Sequence, residues 1–207
     1  MKYRISKRAE DRMGVITELL MKSLAKLSRK PKVKVSLKRL EGFIVDIGAG
    51  GEGVIAKTCG RNTVGVDINR REIDEARSRG SLAHWVLCDA CSMPFRNGSF
   101  NVATFFFSLM YIRTPKKKRA VFVEARRVLK SDGLLCLWDA IIREKPDLYA
   151  VFVEISLPDE EEIFTGYGVR GKEKEQNLEL INKLAIEAGF KTTSAESHKN
   201  WIEACFH

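Results

Sequence analysis

The stretch Val45-Asp46-Ile47-Gly48-Ala49-Gly50-Gly51-Glu52-Gly53, followed by Val64-Gly65-Val66-Asp67, decides how the rest of the chain reads. An apolar, β-branched run that breaks into glycines and then regains apolar residues is a strand turning into a helix. Glycines at such a turn let a ligand approach the backbone closely, because no Cβ stands in the way. Asp67 closes a second β-branched run 21 residues after Asp46. A carboxylate there accepts two hydrogen bonds from a ribose diol, each strengthened by its charge.

As a bare pattern, Gly48-x-Gly50-x-x-Gly53 with Asp67 also fits a dinucleotide-binding turn. Three features favour another nucleoside cofactor. Asp46 sits two residues before the first glycine, where a carboxylate suits a cationic amino-acid group and repels a pyrophosphate. A third run ends in Cys88-Asp89-Ala90, offering a carboxylate and a backbone N–H to an adenine edge. Finally, 207 residues leave little room for a separate catalytic domain beside the sheet.

Working outward, the runs Phe43–Ile47, Thr63–Asp67, His84–Cys88, Val102–Phe107 and Leu134–Asp139 alternate with helical stretches, the pattern of a parallel sheet with crossover helices. Arg70–Arg79 ends at Gly80, and Pro115–Lys130 opens with proline in its first turn after Thr114 and stops at Asp132-Gly133. Residues 146–170 break the rhythm with two extended runs around the acidic turn Asp159–Glu162, which predicts a hairpin inserted on a complete sheet. A helix over Glu173–Ala188 and two closing strands, Lys191–Ser197 and Asn200–Phe206, finish the chain. The expected fold is therefore α/β and Rossmann-like, with a seven-stranded, mostly parallel sheet, an N-terminal arm over residues 1–41, and the hairpin within a domain spanning 42–207.

The net charge of +9 belongs to the arm. Residues 1–40 hold 13 basic and 3 acidic side chains, against 23 and 24 in the remainder. Between Ser6 and Ser28, Met13, Ile16, Leu20, Leu24 and Leu27 recur at helical spacing, and Pro31 ends the pattern before a Lys-rich connector. Such an amphipathic basic arm either attracts a polyanion or an anionic membrane surface, or is a solvated helix face. No apolar stretch is long enough to span a bilayer, and no apolar signal region follows Met1-Lys2-Tyr3-Arg4. With an odd set of five cysteines and no disulfide-framework spacing, the expected compartment is a reducing cytoplasm. Cys88-Asp-Ala-Cys91 lacks a second pair, so two thiols rather than a metal site are expected.

In order and spacing, Asp46-Ile-Gly-Ala-Gly50, Gly65-Val-Asp67-Ile68, Cys88-Asp-Ala90 with Met93-Pro-Phe95, Phe100-Asn-Val-Ala-Thr104 and Glu124-Ala-Arg-Arg-Val-Leu-Lys-Ser-Asp-Gly133 resemble the class I S-adenosylmethionine-dependent methyltransferases. The resemblance is greatest to the small-molecule branch that includes quinone-biosynthesis-type C-methyltransferases. It implies that Asp46, Gly48, Ala49 and Gly50 hold the methionine part of S-adenosylmethionine. Asp67 binds the ribose hydroxyls, Ile68 lies against the adenine, Asp89 and Ala90 read the adenine edge, and Phe105 lines the methionine side. The chain departs from the pattern at Glu52, which stands where the third glycine is usual, with Gly51 and Gly53 on either side.

Transfer of a sulfonium methyl needs an aligned nucleophile more than acid–base machinery. The run Phe105-Phe-Phe107 with Leu109 and Met110 suits an apolar or aromatic acceptor, methylated at oxygen or carbon, or else is simply core. Tyr111 is the polar group beside it and the candidate for orienting that acceptor. Tyr149, Tyr167 and Arg170 of the hairpin are candidates for a substrate wall or a partner surface. Two other readings stand beside this one. In the first the acceptor is RNA or an RNA-associated protein held by the basic arm; in the second the chain binds the cofactor without catalysis. A homodimer stays open.

Overall fold

The computed structural model describes residues 31–143, 148–170 and 175–207. The helix expected over Ser6–Ser28 lies outside them. The chain divides into two units, Lys38–Tyr149 with Val169–His207, and a smaller one that includes β1 and the hairpin turn.

The larger unit is built on β2 (Ile44–Ile47), β3 (Thr63–Asp67), β4 (His84–Leu87), β5 (Phe100–Phe106), β6 (Leu129–Ala140), β9 (Thr192–Ser197) and β10 (Trp201–Phe206). They form one seven-stranded sheet in the order β4-β3-β2-β5-β6-β10-β9. β2 through β6 pair in parallel, and β10 runs antiparallel to both β6 and β9. All four residues of β2 are buried, as expected of a central strand covered on both faces. The helices are α1 (Val54–Cys59), α2 (Arg70–Ser78), α3 (Pro115–Val128) and α4 (Leu178–Glu187). Thr114 caps α3 by accepting the Lys117 N–H at 3.2 Å, and Asn177 caps α4 by accepting that of Leu180 at 2.8 Å.

Period-two alternation sorts the strands' side chains between the two faces. On one, Val45, Ile47, Ala103, Phe105, Leu135 and Leu137 join Val121, Phe122 and Ala125 of α3 and Ile181, Leu184 and Ala185 of α4 in a single core. On the other, Gly65 of β3 leaves room for the Trp85 indole, whose ring lies 2.7 Å from where a Cβ would stand. Trp85 is also tethered through its Nε1–H to Ser81 Oγ at 3.3 Å. A Gly65→Ala variant must push that ring aside and is expected to lose about 2 kcal/mol in denaturant unfolding. An unchanged midpoint would show that the ring moves freely.

In the smaller unit, β1 (Lys32–Ser36), β7 (Leu148–Ser156) and β8 (Glu162–Arg170) form a three-stranded sheet in the order β1-β7-β8. β7 and β8 are the expected hairpin. β1 corrects the reading of residues 32–36 as a connector, for it pairs in parallel with β7 from Lys32↔Phe152 to Ser36↔Ser156. Val33 and Val35 face inward while Lys32 and Lys34 face solvent, and Lys34 meets Glu154 at 3.2 Å. Among the described residues, no helix is long and apolar enough to cross a membrane.

Candidate functional site

Strand order turns outward in both directions from β2 and β5. Right-handed crossovers place α1 and α2 on one face of the sheet and α3 on the other, so the carboxyl ends of β2 and β5 border a crevice. The turn after β2 bends with positive φ at Gly48, Gly50 and Gly53. The N–H groups of Gly48 and Ala49 donate to Val66 O at 2.9 and 3.1 Å, tying the turn to β3. Ser108, in the loop after β5, donates to Ile47 O at 2.7 Å, and its Cβ lies 2.8 Å from where a Cβ on Gly48 would be. That loop carries Phe107, fully buried with φ +48, a conformation that costs a non-glycine residue about 1–3 kcal/mol. Its N–H is anchored on Trp138 O at 2.7 Å.

Carboxylates dominate the rim of this turn. Asp67 accepts the Gly50 N–H on Oδ2 at 3.1 Å and the Asn69 N–H on Oδ1 at 2.8 Å. Glu72, in the first turn of α2, accepts the Gly51 N–H at 2.7 Å, and Glu75 lies within 2.9 Å of a Cβ placed on Gly51. A pyrophosphate-binding turn presents such N–H groups to its ligand and backs them with a helix N-terminus. Here acids hold two of them, and α1 is only six residues long. The space over Gly50 is open, with nothing closer than 3.8 Å to an added Cβ. A ligand with a positive charge and hydroxyl donors fits this rim; a dianion does not.

Asp46 lies behind the turn, 1% exposed, with Thr104 Oγ1 donating to its Oδ1 at 2.7 Å. Burial pushes its carboxyl up to about 7, and the nearby Asp67 charge adds to the shift against the lowering effect of the Thr104 bond. A cation beside it, such as an ammonium group, favours the ionised form.

The remaining sequence-nominated residues are distributed unevenly around the crevice. Cys88 N–H donates to Asp67 O at 3.0 Å, bringing the loop after β4 against Asp67. On that loop Asp89 is exposed and accepts the Cys91 N–H at 2.8 Å, and Ala90 is half-buried. Ile68 is 72% exposed. Phe105 corrects the expectation that it lines the methionine side. Strand alternation turns it to the α3 face, where it is fully buried against Phe122. Tyr111 lies on the short turn after β5, half-exposed.

Two further features escaped the sequence reading. Glu72 is the first; its signal was an acid in the first turn of a helix capped by Asn69, whose side chain accepts the Arg71 N–H at 3.1 Å. The second is a buried polar network at the end of β6. Asp139 accepts the N–H groups of Leu109 and Ala140 and the Gln176 Nε2–H, each at 2.8 Å, and Lys118 Nζ donates to Gln176 Oε1. Burial lowers the Lys118 ammonium to about 8 against the pull of Asp139, and raises the Asp139 carboxyl. Tyr149, pushed up to about 12 by burial and by Asp139, has a buried hydroxyl with no hydrogen-bond partner among the described residues. A terminal acid on the apolar run Leu134–Asp139 was the readable sign, as Asp67 was on β3.

Comparison with known proteins places this geometry in context. Residues 45–137 match the profile of the family described as Methyltransferase domain. A mitochondrial 2-methoxy-6-polyprenyl-1,4-benzoquinol methylase of Rattus norvegicus is 33% identical over 156 residues, covering 67% of this chain and 46% of its own. A ubiquinone/menaquinone biosynthesis C-methyltransferase of Desulfotalea psychrophila is 34% identical over 104 residues, covering 46% and 41%. The chain thus spans less than half the length of these relatives. Among solved structures, a protein from Methanosarcina mazei described as an S-adenosylmethionine-dependent methyltransferase superposes with a TM-score of 0.58 at 18% identity, over 81% of this chain and 94% of that one. That likeness is one of fold.

Proposed function

We propose, from the premise that residues 45–137 carry a methyltransferase domain, that the protein methylates a small apolar or aromatic acceptor at carbon or oxygen, using S-adenosylmethionine. The observation that carries this reading is the carboxylate rim, with the Gly50 and Gly51 N–H groups held by Asp67 and Glu72. The residues present fit this cofactor, whose amino group and sulfonium are cationic and whose ribose offers two hydroxyl donors.

When bound, S-adenosylmethionine supplies a methyl group activated by its positive sulfur. Asp67 accepts the ribose hydroxyls on the lone pairs that Gly50 and Asn69 leave available, and Asp46 faces the amino group in its ionised form. Asp89 and the Ala90 N–H meet the adenine edge, with Ile68 against its face. Gly48, Ala49 and Gly50 supply a backbone surface that the methionine part approaches closely. The Tyr111 hydroxyl orients the acceptor's nucleophilic atom. Tyr111→Phe is expected to lower kcat about tenfold while leaving cofactor affinity unchanged. Full turnover in that variant would remove Tyr111 from the site.

The relatives named for quinol and quinone-precursor methylation favour a hydroquinone-like acceptor, to which carbon methylation is natural because the ring carbon beside a phenolate is nucleophilic. Nothing in the comparisons favours an RNA acceptor, and of the basic arm over residues 1–41 that prompted it, residues 1–30 lie outside the described residues. The direct test incubates the protein with methyl-deuterated S-adenosylmethionine and a short-chain benzoquinol, reading the product by mass spectrometry. A deuterated methyl on the ring supports the proposal. Absence of label on the quinol and on every small molecule of a cell extract would contradict it.

A further inference from the structure

β6 and β10 set two cysteines opposite one another. Cys136 and Cys205 are Cα partners in the antiparallel pair, and their Sγ atoms are 2.6 Å apart. Opposed residues of such a pair have Cα atoms about 4.5 or about 5.5 Å apart. Both spacings fall within the roughly 4.4–6.8 Å that a disulfide spans, so the strands need not move for the bond to close. The pair also belongs to a polar row that crosses the sheet on one face. Asp46 pairs with Thr104, Thr104 with Cys136, and Cys205 with Ser194.

We propose that Cys136 and Cys205 form an oxidisable dithiol, converted by hydrogen peroxide into a cross-strand disulfide. Cys205 is partly exposed and Cys136 is buried, so the oxidant meets Cys205 first. The hydrogen bond between the two thiols lowers the pKa of Cys205, and that bond with burial raises that of Cys136, which makes Cys205 the more readily ionised of the pair. Its sulfur attacks one peroxide oxygen; the O–O bond breaks, a sulfenic acid forms, and the departing hydroxide takes the proton that Cys205 released. The Cys136 sulfur then attacks the Cys205 sulfur, the S–O bond breaks, and the Cys136 proton leaves in the second water. Two thiols and one peroxide thus give one disulfide and two waters.

The bridge joins strands 69 positions apart in the chain. Closing a loop of that length is expected to raise Tm by about 10 °C. The test treats the full chain with hydrogen peroxide, counts free thiols after denaturation and maps linked peptides by mass spectrometry. Of the five cysteines, three are expected to remain free, with Cys136 and Cys205 in one linked peptide and all five recovered after dithiothreitol. Cys205→Ser should form no linked peptide containing Cys136 and show no rise in Tm. Retention of all five thiols in the wild type, a linkage between Cys88 and Cys91 alone, or irreversible oxidation of Cys205 would overturn the proposal.

Discussion

Asp67→Ala is expected to weaken S-adenosylmethionine binding by about 100-fold. The carboxylate contributes charge-assisted hydrogen bonds to the ribose, each worth about 1.5–3 kcal/mol, and two at the lower bound correspond to that factor. It also holds the Gly50 N–H at 3.1 Å and the Asn69 N–H at 2.8 Å, so alanine releases those two N–H groups as well as removing the ribose contact. Asp67→Asn separates the two roles, since the amide oxygen still accepts one backbone N–H. It should fall between wild type and alanine in a calorimetric titration, with circular dichroism checking that both variants fold. Alanine binding as tightly as wild type would move the ribose elsewhere.

The second large effect is a dependence on pH centred at Asp46. Its carboxyl titrates near 7 in the folded protein, against an ordinary value of 3.8. Below about pH 4 the group is protonated whether the chain is folded or not, and it costs nothing. From pH 4 to 7 the unfolded chain ionises while the folded one does not, so unfolding becomes progressively easier; above 7 the penalty is complete. Asp46→Asn keeps the Thr104 hydrogen bond and removes the titration. It should match wild type in stability near pH 4 and exceed it by up to about 4 kcal/mol at pH 8. Cofactor binding runs the other way: an ammonium beside Asp46 favours the ionised form, so wild-type affinity should rise between pH 6 and 8 while that of Asp46→Asn stays flat and lower. Parallel pH profiles for the two proteins would refute the role given to Asp46.

The strands and turns that build the crevice were readable because each carries a local signal. Ile44–Ile47 and Thr63–Asp67 are short β-branched runs, and positive φ at Gly48, Gly50 and Gly53 is what glycine there implies. What escaped depended on partners distant in sequence. Lys32–Ser36 read as a connector because lysine alternates with valine, and only pairing with β7 buries Val33 and Val35. Phe105 was nominated as a wall, but the pleat turns it toward Phe122. Glu72 meets Gly51 only because α2 folds back over the turn, and the Asp139, Lys118 and Gln176 network draws on three separate elements. A sequence pattern reports local backbone and which face a residue takes, not which side chains converge from elsewhere.

The proposed rim of acids accepts a cationic nucleoside and repels a diphosphate. Titration calorimetry of the full chain against S-adenosylmethionine and against NAD, at pH 8 and low salt, tests it most directly. Saturable binding of S-adenosylmethionine at one site per chain, with no heat from NAD, is the predicted result. Binding of NAD, or no binding of S-adenosylmethionine, would contradict it.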